Sequence, residues 1–265
     1  YEVLGQQGTL AAFAGALLSV INLLLAWRFL PESLAPELRG QVRGGRRRIF
    51  DVAAVRKAAA TPGLGLAMVL SFFVIFWFSG METTFALYTD DGFGMNVAET
   101  GGVFAFVGVI SVIVQGGLIH RLSRRFGEVK LIRNGLFQLG LGFAAFSFAP
   151  EVGRWCLFLA SALVAAGSGL YNPSLNSYTS QRAPADQQGA TLGVVQSISA
   201  LARVVGPVCA GLAYETFGMR GPYVSGAIGL FAMFVLAYWL APLVRRRETP
   251  SAPVPPPSAA LSPEA

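Results

Sequence analysis

Gly189-Ala-Thr-Leu-Gly193-Val-Val-Gln196-Ser-Ile-Ser-Ala-Leu-Ala202-Arg203-Val-Val-Gly206-Pro207-Val-Cys-Ala-Gly211-Leu-Ala-Tyr214 is the stretch on which the reading of this chain turns. At about 1.5 Å per residue it is long enough to cross a bilayer as a helix. Small residues recur at Gly193, Ala202, Gly206, Ala210 and Gly211, and small residues let helices approach closely in lipid. The Gly206-Pro207 pair removes a rung of the backbone ladder and allows a kink, which neighbours or water must then satisfy. Arg203 sits near mid-span, where a charge is costly and needs a partner or a wet cavity. A close-packed, kinked, charged helix suits a protein with a pathway better than a passive anchor.

Composition extends that reading to the whole chain. Hydrophobic residues make up 54% of it and charged residues 13%, against roughly 25% charged in soluble domains. Mean hydropathy is +0.56. The fold class expected is therefore an all-α integral membrane protein. Net charge is +6, but the basic residues cluster between apolar spans. That pattern orients helices in a membrane and does not call for nucleic acid. Cys156 and Cys209 both lie in apolar spans, far apart, and form no disulfide framework or metal spacing. His120 alone cannot build a zinc site. No cofactor and no metal is expected.

Seven spans are expected. They cover about Gly8–Phe29, Gly63–Tyr88, Thr100–Ile119, Leu131–Ala149, Trp155–Tyr178, Gly189–Tyr214 and Pro222–Leu243. Asn22 reads as a packing contact in the first. A long stretch with Arg39, Arg43, Arg46, Arg47, Arg48, Arg56 and Lys57 follows it. It reads as a cytoplasmic loop with a short surface helix over Ile49–Ala60. Asp90, Asp91 and Glu99 fall in a connection without Lys or Arg, placed outside. His120, Arg121, Arg124, Arg125, Lys130 and Arg133 read as a basic inside loop. Asp186 is a candidate cap for the quoted helix. Arg245, Arg246 and Arg247 stop the last span inside, and a Pro/Ala/Ser-rich tail follows that reads as disordered.

The expected division is a transmembrane helix over residues 1–30, a basic cytoplasmic loop over 31–62, a six-helix transmembrane bundle over 63–244 and a cytoplasmic tail over 245–265. One helix before a complete set of six, starting at Tyr1, reads as the later part of a larger protein.

Several stretches carry a family resemblance. They are Asn22-Leu-Leu-Leu-Ala with Leu30-Pro-Glu-Ser, the Arg-rich loop, Gly117-Leu-Ile-His-Arg-Leu-Ser-Arg-Arg-Phe-Gly, and Gly193 with Ala202, Gly206, Pro207, Ala210 and Gly211. Together they resemble helices six to twelve of a major facilitator superfamily transporter, of the drug:proton antiporter type related to tetracycline efflux proteins. The Gly117 stretch resembles the degenerate second copy of that family's helix 2–3 loop motif, without its aspartate. The Gly193–Gly211 stretch resembles the antiporter motif, with alanine at two glycine positions, on the repeat counterpart of its usual helix. The resemblance implies a multi-pass protein of the cell inner membrane with a cytoplasmic C-terminus. Its partners would be the lipid bilayer, a small-molecule substrate, protons and a missing N-terminal half, without which the cavity wall is incomplete and no transport is expected. The activity implied is proton-coupled export by alternating access. Uptake of a small organic solute on the same fold is one alternative, and a non-transporting scaffold or inactive truncated product is another. No nucleophile–base constellation or phosphate loop points to an enzyme.

Glu82 is the first candidate for chemistry. Apolar surroundings disfavour a bare carboxylate, so a proton or a cationic substrate satisfies it in turn; a hydrated or Thr-bonded carboxyl near the helix end is the plainer reading. Arg203 is a candidate charge partner of Glu82 or contact for an anionic group, or a lock on a backbone carbonyl. Arg121 and Arg125 are candidate gating residues, or serve orientation only. Phe76, Trp77 and Phe85 are candidates for an aromatic or cationic substrate, or simply face lipid and neighbours. The cavity helices of the resembled family favour Gln115, Asn172 and Gln196 as substrate contacts over Gln138; each also suits interhelical bonding. Gly193, Ala202, Gly206, Pro207 and Gly211 carry kink and packing.

Overall fold

The structure, a computed structural model, describes residues 2–29, 56, 59–61, 63–183 and 188–239. The chain divides into two units, residues 1–51 and 52–265. In the first, α1 spans Glu2–Phe29, and its apolar part is Phe13–Phe29. The expected first span lies inside it. The Arg-rich loop falls outside the described residues except Arg56, Ala59, Ala60 and Thr61. Asp186 and the tail fall outside them as well.

The second unit is built from helices α2 (Leu64–Phe93), α3 (Val97–Phe126), α4 (Glu128–Val152), α5 (Arg154–Arg182), α6 (Gln188–Phe217) and α7 (Gly221–Leu236), the last continued by a 3₁₀ turn, Ala237–Trp239. All six are long and apolar enough to cross a membrane once that turn is counted with α7. The fold is thus the all-helical membrane bundle expected, with longer helices than the apolar runs alone mark. Polar and charged ends join the helices: Glu128 opens α4, and Arg154 and Arg182 bracket α5.

The basic segment His120–Arg133 is a correction. It is helical on both sides of a single turn residue, Gly127, whose φ is 76°. Gly153 turns the chain between α4 and α5 in the same way, at φ 115°. A residue with a side chain is strained there, whereas glycine is not. The acidic connection is likewise short: Asp90 and Asp91 end α2, and Asn96 and Glu99 form a reciprocal capping box that starts α3.

The helices alternate in direction, and polar contacts at one end show which termini meet there. Arg154 at the start of α5 pairs with Glu99 at the start of α3, at 3.0 Å. Arg220, just before α7, pairs with Glu151 near the end of α4, at 2.9 Å. Tyr214 near the end of α6 donates to Asp91 near the end of α2, at 2.6 Å. The lone arginines of the acidic end therefore each face an acid, which reconciles them with the charge alternation in the sequence. At the other end Glu128 accepts from Ser177 and Gln181 of α5.

The core lies among α2, α4, α5 and α7. Tyr88, Phe143, Phe146 and Tyr223 form a buried aromatic cluster, in which Tyr88 donates its hydroxyl to the Phe146 carbonyl. Helices α4 and α5 touch backbone to backbone: a Cβ at Gly135 would stand 2.7 Å from the Gly167 carbonyl oxygen. Helix α3 is nearly bare by contrast. Among its residues only Thr100, Val103 and Val114 are buried. A five-residue π turn, Val114–Leu118, interrupts its α-helical ladder. Such turns free a carbonyl and often mark functional positions.

Candidate functional site: Glu82 and Arg203 across a small-residue seam

The quoted stretch forms α6 without a break through Pro207. The Gly-Pro pair does not end the helix; its glycine instead makes the closest approach in the seam with α2. The buried side of α6 runs Val195, Ser199, Ala202, Gly206, Ala210. These positions are three or four apart and so share one face. A Cβ at Gly206 would meet the Phe76 carbonyl oxygen, and would stand 2.5 Å from the Ser79 Oγ. Across from it, a Cβ at Gly80 would lie 2.7 Å from that of Ala210. One polar contact fixes the register of the seam, the 2.7 Å hydrogen bond between Ser71 and Ser199. Interhelical hydroxyl bonds of this kind are favoured where water is scarce. The five small residues of the sequence reading therefore do not act together. Ala202, Gly206 and Ala210 lie on the seam face, while Gly193 and Gly211 face open space, with nothing within 4 Å of an added Cβ.

Glu82 follows the seam on α2 and Arg203 sits beside Ala202 on α6. Both side chains are exposed in this unit. Among the described residues no ion pair joins Arg203 to the Glu82 carboxylate. Thr83 and Thr84 spend their hydroxyls on their own helix, on the carbonyls of Ser79 and Gly80, so they do not hold the Glu82 carboxylate. An exposed acid and an exposed base thus lie on adjacent packed helices, in segments this apolar.

The other candidates separate into groups. Phe85 is a correction as an open substrate contact: it is 3% exposed and packs against Tyr88, Phe104 and Phe146. It still forms one wall of a cavity of about 110 Å³ at Glu82. Phe76 and Trp77 are half-buried and line a second cavity, of about 230 Å³, against α6 and α7. Trp77 is mainly a packing residue, because its ring fills the space a Cβ at Gly229 would need. Gln115 lies in the π turn of α3, exposed, and lines an open depression with Ser111 and Gly116. Asn172 and Gln196 are exposed on α5 and α6. None of these three holds a hydrogen bond among the described residues. Gln138 bonds within its own helix, to Asn134. Arg121 and Arg125 are exposed at the basic end of α3, with Arg125 over the neighbouring Phe126 ring at 5.5 Å. Cys156 is buried and Cys209 exposed. Among the described residues no group of His, Cys, Asp and Glu is placed to hold a metal ion.

Three serines escaped the sequence reading: Ser111 on α3 with Ser161 and Ser168 on α5, all lining the cavity at Glu82. Serine is common in membrane helices, and only the relative rotation of three helices brings these together.

The family model described as Major Facilitator Superfamily matches residues 2–207 and 121–264 of the chain. The chain belongs to that superfamily. Among curated relatives, the Major facilitator superfamily domain-containing protein 10 of Bos taurus is 32% identical over 261 residues, covering 86% of this chain and 53% of its own length. The Solute carrier family 22 member 18 of Rattus norvegicus is 27% identical over 245 residues, covering 89% of this chain and 56% of its own. The chain thus spans about half the length of the curated relatives it matches. Two solved structures show the same fold. The human organic anion transporter MFSD10 (TETRAN) superposes with a TM-score of 0.61 at 24% identity, over 65% of this chain and 40% of that one. The peptide transporter POT in complex with sulfate gives 0.60 at 19%, over 69% and 40%.

Proposed function

We propose that this superfamily member is part of a secondary transporter of the cell inner membrane that exports hydrophobic small molecules in exchange for protons. Two six-helix units would rock around a midplane site, as in the general alternating-access scheme. The missing N-terminal half would supply the other wall of that site, and the C-terminus would face the cytoplasm. The observation that carries the proposal is the placement of Glu82 and Arg203. They are exposed charges of opposite sign on two packed, apolar helices, with no ion pair between them among the described residues. Charges kept inside a membrane span are expensive and mark pathways by default. A carboxylate that is unclaimed by its neighbours takes either a proton or a cationic substrate, and that competition is the simplest form of exchange. Arg203 then holds the site when Glu82 is empty.

A second reading has one specific observation behind it. The exposed Arg203 suits an anionic substrate, and the human relative MFSD10 is described as an organic anion transporter. The two readings give opposite results in one experiment. Inverted membrane vesicles holding the full-length protein are loaded with a pH-sensitive dye and offered either a lipophilic amine or an aromatic carboxylate. The exporter reading expects the amine to release protons from the lumen. Carboxylate uptake that Arg203→Gln abolishes, with no response to amines, selects the anion reading instead.

A further inference from the structure

The two ends of the six-helix unit treat their basic residues differently. At the acidic end Arg154 and Arg220 are each paired with a glutamate. At the other end Arg121, Arg124, Arg125, Lys130 and Arg133 gather where α3 meets α4, and none of them has an ion pair among the described residues. The acid within that run, Glu128, is spent on Ser177 and Gln181 of α5. Arg133 differs from its neighbours in lying against a second helix. Its guanidinium carbon is 4.6 Å from the centre of the Tyr238 ring, on the 3₁₀ turn that continues α7. A column of rings runs on from there along α4 and α7. Tyr238 meets Phe234 at 5.4 Å, Phe234 meets Phe137 at 5.4 Å, and Phe137 meets Phe231 at 6.1 Å. Below the column the helices pack closely, since a Cβ at Gly140 would stand 3.1 Å from the Phe231 ring. The column itself stays open: Phe137 is 43% exposed and Tyr238 53%.

We propose that this α4–α7 crevice binds an anionic phospholipid, with its phosphate on Arg133 and Lys130 and an acyl chain along Phe137, Phe231 and Phe234. Lys130, Arg133 and Phe137 are three and four residues apart, so they share one face of α4. A guanidinium carries five donors and no acceptor. Stacking on Tyr238 uses its flat face and leaves the N–H edge for a forked acceptor such as phosphate. Those donors hold no hydrogen bond or ion pair among the described residues. Depth agrees with charge. Tyr238 and Trp239 stand side by side and exposed at the end of an apolar span, and that pairing belongs at headgroup level. Arg133 is therefore at the level of lipid phosphates, and the rings lead inward to where acyl chains lie. Basic pockets between spanning helices suit anionic headgroups. A free phosphate ion would use the arginine but gain nothing from the rings. The crevice shares no residue with Glu82 or Arg203, so it stands or falls apart from the transport reading.

Trp239, next to Tyr238, is the reporter for the test. The full-length protein is reconstituted in phosphatidylcholine vesicles that carry a small fraction of brominated-chain phosphatidylglycerol or brominated-chain phosphatidylcholine. Bromine quenches a tryptophan it touches, and subtracting the signal of the matching Trp239→Phe protein isolates this residue. Each basic side chain near the surface favours anionic lipid about fivefold, so two of them should give a preference for phosphatidylglycerol of at least about tenfold. Arg133→Gln should cut that preference about fivefold. Tyr238→Leu keeps the charge but removes the ring, and should weaken it as well. Arg124→Gln, at an exposed arginine that lies over no ring, should leave it unchanged. Lys130→Gln and Tyr238→Leu, both at exposed side chains, carry the test if Arg133→Gln is not recovered folded. Equal quenching by the two lipids would overturn the assignment. So would equal losses in Arg124→Gln and Arg133→Gln, which would mean diffuse positive charge without a site. Displacement of the anionic lipid by inorganic phosphate in the buffer would overturn it too, because the anion would then bind without the chain.

Discussion

Glu82→Gln is expected to abolish substrate-driven proton movement while leaving the protein folded. Glutamine keeps the shape and hydrogen-bonding reach of the side chain but can neither lose nor gain a proton at working pH. The fold should survive because Glu82 holds no ion pair or hydrogen bond among the described residues and is exposed in this unit. The measurement is dye-reported proton flux in vesicles, normalised to the amount of folded protein recovered by size exclusion. The expected flux is that of vesicles without the protein, and the expected elution volume is that of wild type. Proton movement at the wild-type rate in this variant would remove Glu82 from the mechanism, whatever else binds there.

Gly206→Leu should be the most damaging single change to the fold. No side chain fits at this position: even a Cβ meets the Phe76 carbonyl oxygen and comes within 2.5 Å of the Ser79 Oγ. Backbone cannot swing aside as the end of a long side chain can, so α2 and α6 must separate along the seam. That would strain the Ser71–Ser199 bond as well. Overpacking typically costs 1–3 kcal/mol and sometimes more, and a leucine driven into a backbone contact belongs at about 3 kcal/mol or beyond. Gly211→Ala is the control on the same helix. Its added Cβ meets nothing within 4 Å, and exchanging glycine for alanine inside a helix gains up to about 1 kcal/mol. Thermal unfolding in detergent should place Gly206→Leu far below wild type and Gly211→Ala at or slightly above it. Equal midpoints for the two variants would mean that the seam is not packed as described.

The bundle was legible in the sequence because its helices are apolar over most of their length, and length with hydropathy is enough to find such segments. The same property hid the packing. A helix that is apolar all round has no polar stripe to show which side turns inward. The i, i+4 series Ala202, Gly206, Ala210 could therefore be suspected, but it could not be told apart from Gly193 and Gly211, which face outward. Phe85 shows the same ambiguity: it packs into the aromatic core and also forms a wall of the cavity at Glu82. Helix ends were read short because charge was taken to mean loop. In His120–Arg133 a single glycine in a left-handed conformation makes the whole connection, and the arginines ride on helix. Glu82 and Arg203 were legible because a charge in an apolar span is conspicuous by its cost. Ser111, Ser161 and Ser168 were not, since each is individually ordinary and only their meeting across α3 and α5 gives them meaning.

The central claim is that Glu82 and Arg203 work together as the charge pair of one site. A double-mutant cycle on substrate-driven proton flux tests it most directly, with Glu82→Arg, Arg203→Glu and the charge-swapped double variant measured beside wild type. Coupled residues give effects that do not add. Each single variant is expected to be inactive, and the swap is expected to recover a measurable share of the wild-type flux. A swapped protein that is folded yet as inactive as the product of the two single losses would show two charges that act independently, and the paired site would have to be given up.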